Sequence, residues 1–141
     1  MDKDDILRLD HQLCFPLYSA ARKTVNLYTP ILSPLGITYT QYLVFLVLFE
    51  KDGITVSELG KRLYLDSGTL SPLLKKMEKE GYVLRMRAKE DERTVVINLT
   101  EKSKAMKEKL QDVPLKIARC MNLDPEDATE LYALLYKVLN Q

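Results

Sequence analysis

Glycine and proline are scarce in this 141-residue chain, at 5 and 6 residues, which excludes collagen-like repeats and flexible low-complexity tracts. No apolar run reaches the ~20 residues that a bilayer core demands, so no membrane span is expected. The opening stretch, Met1–Asp10, is acidic where a secretory signal would carry a basic head and an apolar core, and the expected location is the cytoplasm. Cysteine is nearly absent. Cys14 and Cys120 stand far apart with no export signal, so reduced thiols are expected, not a disulfide framework. The single histidine, His11, has no carboxylate or thiol company at ligand spacing, so neither a metal nor another cofactor is expected. Charge of one sign is also missing: 21 Lys and Arg oppose 20 Asp and Glu for a net +1, which gives no global pull toward nucleic acid. Only a fold that sorts the signs onto different faces could supply one.

What is present is a chain 46% apolar and 29% charged, suited to one packed domain over 1–141. Ile6, Leu9, Leu13, Leu17, Ala20 and Thr24 recur at helical spacing, predicting a long first helix in which Pro16 makes either a kink or a frayed opening turn. Pro34 and Gly36 punctuate the turn after it. Tyr39–Glu50 is apolar nearly all round, which predicts a helix in the middle of the domain. Thr55 and Glu58 have capping-box spacing, and Val56, Leu59 and Leu63 make a short amphipathic helix. Asp66 and Ser67 are placed to cap another, whose Leu70, Leu73, Leu74 and Met77 keep the period up to Gly81. Only a tight turn separates the pair, which is the arrangement of a helix-turn-helix.

After Gly81 the period changes to that of a strand. Tyr82–Arg87 and Thr94–Leu99 alternate about a polar tip at Lys89–Glu92, predicting a β-hairpin. Thr100 then caps a helix carrying Ala105, Met106, Leu110, Val113 and Ile117, bent at Pro114, and Asp124 opens a last helix with Leu131, Leu134, Leu135 and Val138 on its stripe. The expected fold class is therefore mainly α with a small β wing, a winged helix-turn-helix.

Such a fold leaves the second helix of the pair with a free polar face, here Ser67, Thr69, Ser71, Lys75, Lys76 and Lys79. Short hydroxyls near the start of a helix suit base edges in a major groove, and longer lysines suit phosphates. Asp66 and Ser67 serve mainly as caps, so Thr69 and Ser71 are the better base-contact candidates. In the wing, Arg85, Arg87, Lys89 and Arg93 reach the flanking backbone or a narrow minor groove. Asp91, two residues before Arg93, is expected to orient its guanidinium through a bidentate pair. The implied partner is double-stranded DNA and no enzyme activity is expected.

Leu65–Glu78 (LDSGTLSPLLKKME) followed by Glu90–Thr100 (EDERTVVINLT) resembles the MarR family of dimeric winged-helix regulators, and the resemblance covers nearly the whole chain. Gln12–Tyr18 (QLCFPLY) is similar to the branch that senses organic hydroperoxides, usually called OhrR, and its relatives that sense oxidative stress. The resemblance implies a homodimer built from helices in 1–35 and 101–141, with 36–100 as the DNA-binding part reading a pseudo-palindromic operator. It implies Cys14 as the reactive thiol, Tyr28 and Tyr39 hydrogen-bonding it from the partner subunit, and Tyr18 as a further aromatic of the same pocket. Pro16 departs from the helix-friendly residue that relatives carry. Cys120 lies in the region where one subtype has a resolving cysteine, while in another subtype a small cellular thiol takes that role.

The chemistry fits. A thiol attacks peroxide as its thiolate, which hydrogen-bond donors or a helix N-terminus stabilise, and the sulfenic acid formed then condenses with a second thiol. Release of DNA requires the two half-site helices to change spacing or tilt. Two rival readings remain: a regulator that binds a small phenolic or aromatic ligand in the dimer cleft, and a thiol peroxidase, for which the helix-turn-helix and wing would have no use.

Overall fold

Of the first expected helix, only the part from Cys14 onward is α-helical. The computed structural model describes residues 2–141, and its first helix, α1, is Cys14–Leu32. Upstream, Asp5–Leu7 and Leu9–His11 are separate 3-10 turns, tied down by His11 Nδ1 to the Asp5 carbonyl at 2.7 Å and by Gln12 Nε2, which donates to the Ile6 carbonyl at 2.6 Å. Pro16 explains the difference. It occupies the first turn of α1, where backbone donors have no partner in any case, so the helix opens at the proline and does not run through it.

Two units make up the described residues: residues 2–27 with Asp112–Gln141, and Tyr28–Gln111. In the second unit, α2 (Tyr39–Glu50) starts from a capping box: Gln41 N donates to Thr38 Oγ1 at 3.3 Å, and Thr38 N donates to Gln41 Oε1 at 3.0 Å. Its Tyr42, Val44, Phe45, Val47 and Leu48 are buried, so the evenly apolar stretch is the central helix, as its sequence predicts. A two-residue strand, β1 (Ile54–Thr55), follows. It is too short for any alternation to announce it. Thr55 then caps α3 (Val56–Leu63), accepting from Glu58 N at 3.0 Å, and Asp66 caps α4 (Ser67–Lys79).

The hairpin is β2 (Val83–Arg87) and β3 (Val95–Leu99), and the sheet order is β1-β3-β2, all antiparallel, with Ile54 and Arg85 both opposite Ile97. Ile97 is fully buried. Asp52 ties the sheet to the end of α2, accepting Leu99 N at 2.8 Å. Next comes α5 (Glu101–Leu110), capped by Thr100, which packs on α2 and β3 within this unit. The first unit continues with α6 (Val113–Met121) and α7 (Pro125–Leu139). The helix expected from Thr100 through Ile117 is thus two, because the chain breaks at Gln111 and Asp112 and Pro114 sits in the opening turn of α6, where it is tolerated. Among the described residues no single helix is long and apolar enough to cross a membrane.

Candidate nucleic-acid interface and redox residues

The angle between α3 and α4 rests on Gly60. A methyl group there would lie 2.7 Å from the Leu65 carbonyl oxygen and 3.2 Å from Leu70 Cδ1, so the absence of a side chain lets the turn fold back onto α3. Tyr64 takes a left-handed conformation with φ 55° and closes that turn. Leu70, Leu74 and Met77 then bury one side of α4. Ser67, Thr69, Pro72, Lys75, Lys76 and Lys79 remain exposed on the other, while Ser71 is half-buried.

Asp66 caps α4 through Thr69 N, which donates to its Oδ1 at 2.7 Å. The hydrogen bonds from Thr69 hold the carboxyl below the usual carboxylate range. Ser67 is the first helical residue and not a cap. Thr69 is exposed on the outer face with its side chain also hydrogen-bonded to the Asp66 carboxylate, whereas Ser71 opens into a cleft of about 990 Å³ between α3, α4 and the wing. Lys61, Arg85 and Arg93 also line this cleft, with Asp66 as their acidic neighbour. Three cations, Lys61, Arg85 and Arg93, thus share this cleft, and Lys75 and Lys76 are exposed on α4. Lys61 and Tyr64, which also line the cleft, went unnoticed at the level of sequence because the short α3 reads as a core-packing element.

In the wing, Asp91 does not hold the Arg93 guanidinium. Its Oδ1 accepts the backbone N–H of Arg93 at 2.9 Å, and its Oδ2 accepts Thr94 Oγ1 at 3.5 Å. The carboxylate shapes the hairpin tip as a local turn former, and Arg93 is left exposed. Arg87 Nη1 donates to the Glu92 carbonyl at 3.1 Å, bracing the same tip. Lys89 is exposed there. Arg85 lies deeper: its backbone N–H donates to Glu78 Oε2 at 3.2 Å, while its Nε is buried without a hydrogen-bond partner.

The residues singled out for redox chemistry fall in both units. Cys14 is the first residue of α1, exposed and free. Tyr18, one turn on, is 60% exposed with the Arg22 guanidinium 5.5 Å from its ring centre. Cys120 is also exposed and free, near the end of α6, so within one chain it is not a core residue.

In the second unit Tyr28 and Tyr39 come together with ring centres 4.5 Å apart, and Tyr42 joins them at 5.5 Å from Tyr28. Burial raises all three phenols; Tyr28 goes from its usual 10.0 to about 12, with the neighbouring Tyr39 and Tyr42 adding to the effect. These phenols stay protonated donors at any physiological pH. For Tyr28 the folded value lies above the unfolded one, so its contribution to stability is complete below pH 10.0 and is lost as the pH rises toward about 12. Ultraviolet titration should show a phenol ionising near pH 12 that is absent in Tyr28→Phe; ionisation of every tyrosine near the usual value would contradict it.

One more residue emerges only from the structure. Gln41, 1% exposed, donates from Nε2 to Glu80 Oε2 at 2.9 Å, linking α2 to the residue that caps the C-terminal end of α4. Thr38-Tyr39-Thr40-Gln41 has the capping-box spacing recognised at Thr55, which was the available signal.

Residues 26–110 match the family model described as transcriptional regulator SarA/Rot. The organic hydroperoxide resistance transcriptional regulator of Bacillus subtilis (strain 168) is 46% identical over 138 residues, spanning 98% of this chain and 94% of its own. Among solved structures, reduced AbfR bound to DNA is similar with a TM-score of 0.80 at 35% identity, covering 98% of this chain and 96% of the other. A mutant MarR from E. coli complexed with operator DNA is similar with a TM-score of 0.82 at 31% identity, covering 90% and 93%.

Proposed function

Because this chain belongs to the SarA/Rot family of transcriptional regulators, with the MarR-like winged helix-turn-helix, we propose that it is a cytoplasmic, DNA-binding repressor that releases its operator when an organic hydroperoxide oxidises Cys14. The observation that carries the DNA reading is the exposed face of α4 with Thr69, Lys75 and Lys76 on it, beside a cleft lined by Lys61, Arg85 and Arg93; on this reading Thr69 meets base edges and the lysines meet phosphates. Ser67, Ser71, Arg85, Arg87, Lys89 and Arg93 complete the contact set; Asp66 and Asp91 shape it.

The operating unit is a homodimer on a pseudo-palindromic operator. In support, 17 of the 21 large apolar side chains that lie exposed among the described residues belong to the first unit, including Leu13, Phe15, Leu131 and Leu134. An apolar surface of that extent is what a permanent subunit interface covers. The switch is a two-step oxidation. The Cys14 thiolate attacks one peroxide oxygen, an S–O bond forms as the O–O bond breaks, and the alkoxide leaves and takes a proton as the alcohol. The partner subunit's Tyr28 and Tyr39, kept protonated, donate to the sulfur, with Tyr18 at the same pocket. Cys120 of the other subunit, or a small thiol, then attacks the sulfenic sulfur and expels water, leaving a disulfide.

Operator titration of the reduced protein with and without an organic hydroperoxide, read beside non-reducing gels, tests this. Tight binding lost on oxidation and restored by a dithiol is the expected result, with a Cys120-dependent dimer band if Cys120 resolves. Unchanged affinity after oxidation refutes the sensor, and failure of the reduced protein to prefer any duplex refutes the regulator.

A further inference from the structure

Among the described residues only Gln41 and Ser103 are polar side chains that lie buried. Gln41 spends both ends of its amide. Oε1 accepts Thr38 N at 3.0 Å, holding the first turn of α2, and Nε2 reaches across to Glu80 Oε2 at 2.9 Å. Glu80 ends α4: its own N–H returns to the Lys76 carbonyl at 2.9 Å, and its second carboxylate oxygen lies 4.0 Å from Lys76 Nζ. The residues on either side of Gln41 along the helix are no less particular, since Tyr39 and Tyr42 are two members of the tyrosine trio, with ring centres 6.4 Å apart. One turn of α2 therefore carries both the phenols and a charge-assisted bond to the C-terminal end of the groove-facing helix.

We propose that Gln41 is a positioning residue that couples the tyrosine trio to the tilt of α4. Tyr39, Gln41 and Tyr42 are rigidly related by one helical turn, so a displacement of the phenols moves the amide. The amide must then either drag Glu80 with it or leave a buried donor unpaired, which is unfavourable. As α4 holds 13 residues at about 1.5 Å each, a small rotation about Glu80 becomes a larger displacement at Thr69, where half-site spacing is read. The coupling runs both ways, because what DNA does to the phenols the phenols do to DNA affinity. Its redox consequence rests on the reading given above, while the coupling itself is a property of α2 and α4.

The test uses the full-length protein with fluorotyrosine incorporated, the Tyr39 resonance being identified by Tyr39→Phe, in the wild type, Glu80→Ala, Glu80→Gln and Gln41→Met. Glu80 is a third exposed at its side chain and its alanine variant leaves the α2 cap intact, so it remains folded even if Gln41→Met does not. Addition of operator duplex to reduced protein should move the Tyr39 fluorine resonance in the wild type and in Glu80→Gln, which retains an acceptor, and should not move it in Glu80→Ala. An equal shift in Glu80→Ala, or none in the wild type, overturns the proposal. A second measurement concerns the switch: in Glu80→Ala the ratio of oxidised to reduced operator Kd should shrink by about fivefold or more, while the rate of sulfenic acid formation at Cys14 stays that of the wild type. An unchanged ratio overturns the redox consequence. A wild-type ratio of one refutes the hydroperoxide reading, and the fluorine measurement then still decides the coupling.

Discussion

Cys14→Ser should hold its operator in the presence of an organic hydroperoxide as tightly as untreated protein, where the wild type should lose affinity on the order of 10²-fold. A serine hydroxyl is nearly the same size as the thiol and can occupy the exposed first position of α1 without disturbing packing, so the fold and the reduced-state affinity should be retained. What it lacks is a nucleophilic sulfur that peroxide can convert to a sulfenic acid. The effect is therefore close to all-or-none in the response and near zero in the basal affinity. Fluorescence anisotropy with labelled operator, with and without oxidant, measures both. Release of Cys14→Ser by hydroperoxide would place the sensor elsewhere, with Cys120 as the remaining thiol.

The second large effect is structural. Gly60→Ala should destabilise the fold by about 1–3 kcal/mol, the usual cost of forcing a methyl group into a filled space, and should weaken operator binding in addition. The new Cβ meets a backbone oxygen, that of Leu65, at 2.7 Å, and backbone cannot swing aside as a long side chain does. Relief requires the turn between α3 and α4 to open, which rotates the exposed face of α4 away from its setting on Leu70 and Leu74. Chemical denaturation gives the first quantity and operator titration at a temperature where the variant is folded gives the second. Wild-type stability with wild-type affinity would mean that the turn adapts without strain. Stability loss with normal affinity would mean that the opening leaves α4 in place.

Much of this was legible in the sequence because it depends on local period and local caps. Tyr39–Glu50 was correctly bounded, since its apolar run is ended by Lys51-Asp52-Gly53, and Thr55, Asp66, Thr100 and Asp124 all cap the helices that their spacing announces. The errors share a cause as well. Periodicity ran unbroken through Ile6–Thr24 and through Thr100–Ile117, but a proline in each case sits where a helix begins, and apolar spacing carries no information about where backbone donors are missing. Contacts between residues remote in sequence were out of reach of periodicity: Gln41 with Glu80, the pairing of β1 with β3, and the addition of Tyr42 to the Tyr28 and Tyr39 that the resemblance had grouped. The Asp91 error was one of chemistry. A carboxylate two residues before an arginine has a nearer partner in the backbone amide, and the turn takes it.

Thr55 does two jobs at once, as the final residue of the edge strand β1 and as the cap of α3. A designer who wished to transplant this helix pair onto another scaffold would therefore have to carry the strand with it, and with the strand its partner β3, whose Ile97 and Val96 lie opposite Ile54 and Thr55. Asp52, whose carboxylate fastens Leu99, would have to travel too, and so would α2, against which α3 and α4 pack. A shorter excision would leave α3 without its first hydrogen-bond acceptor and β3 with an open edge prone to pairing with strangers.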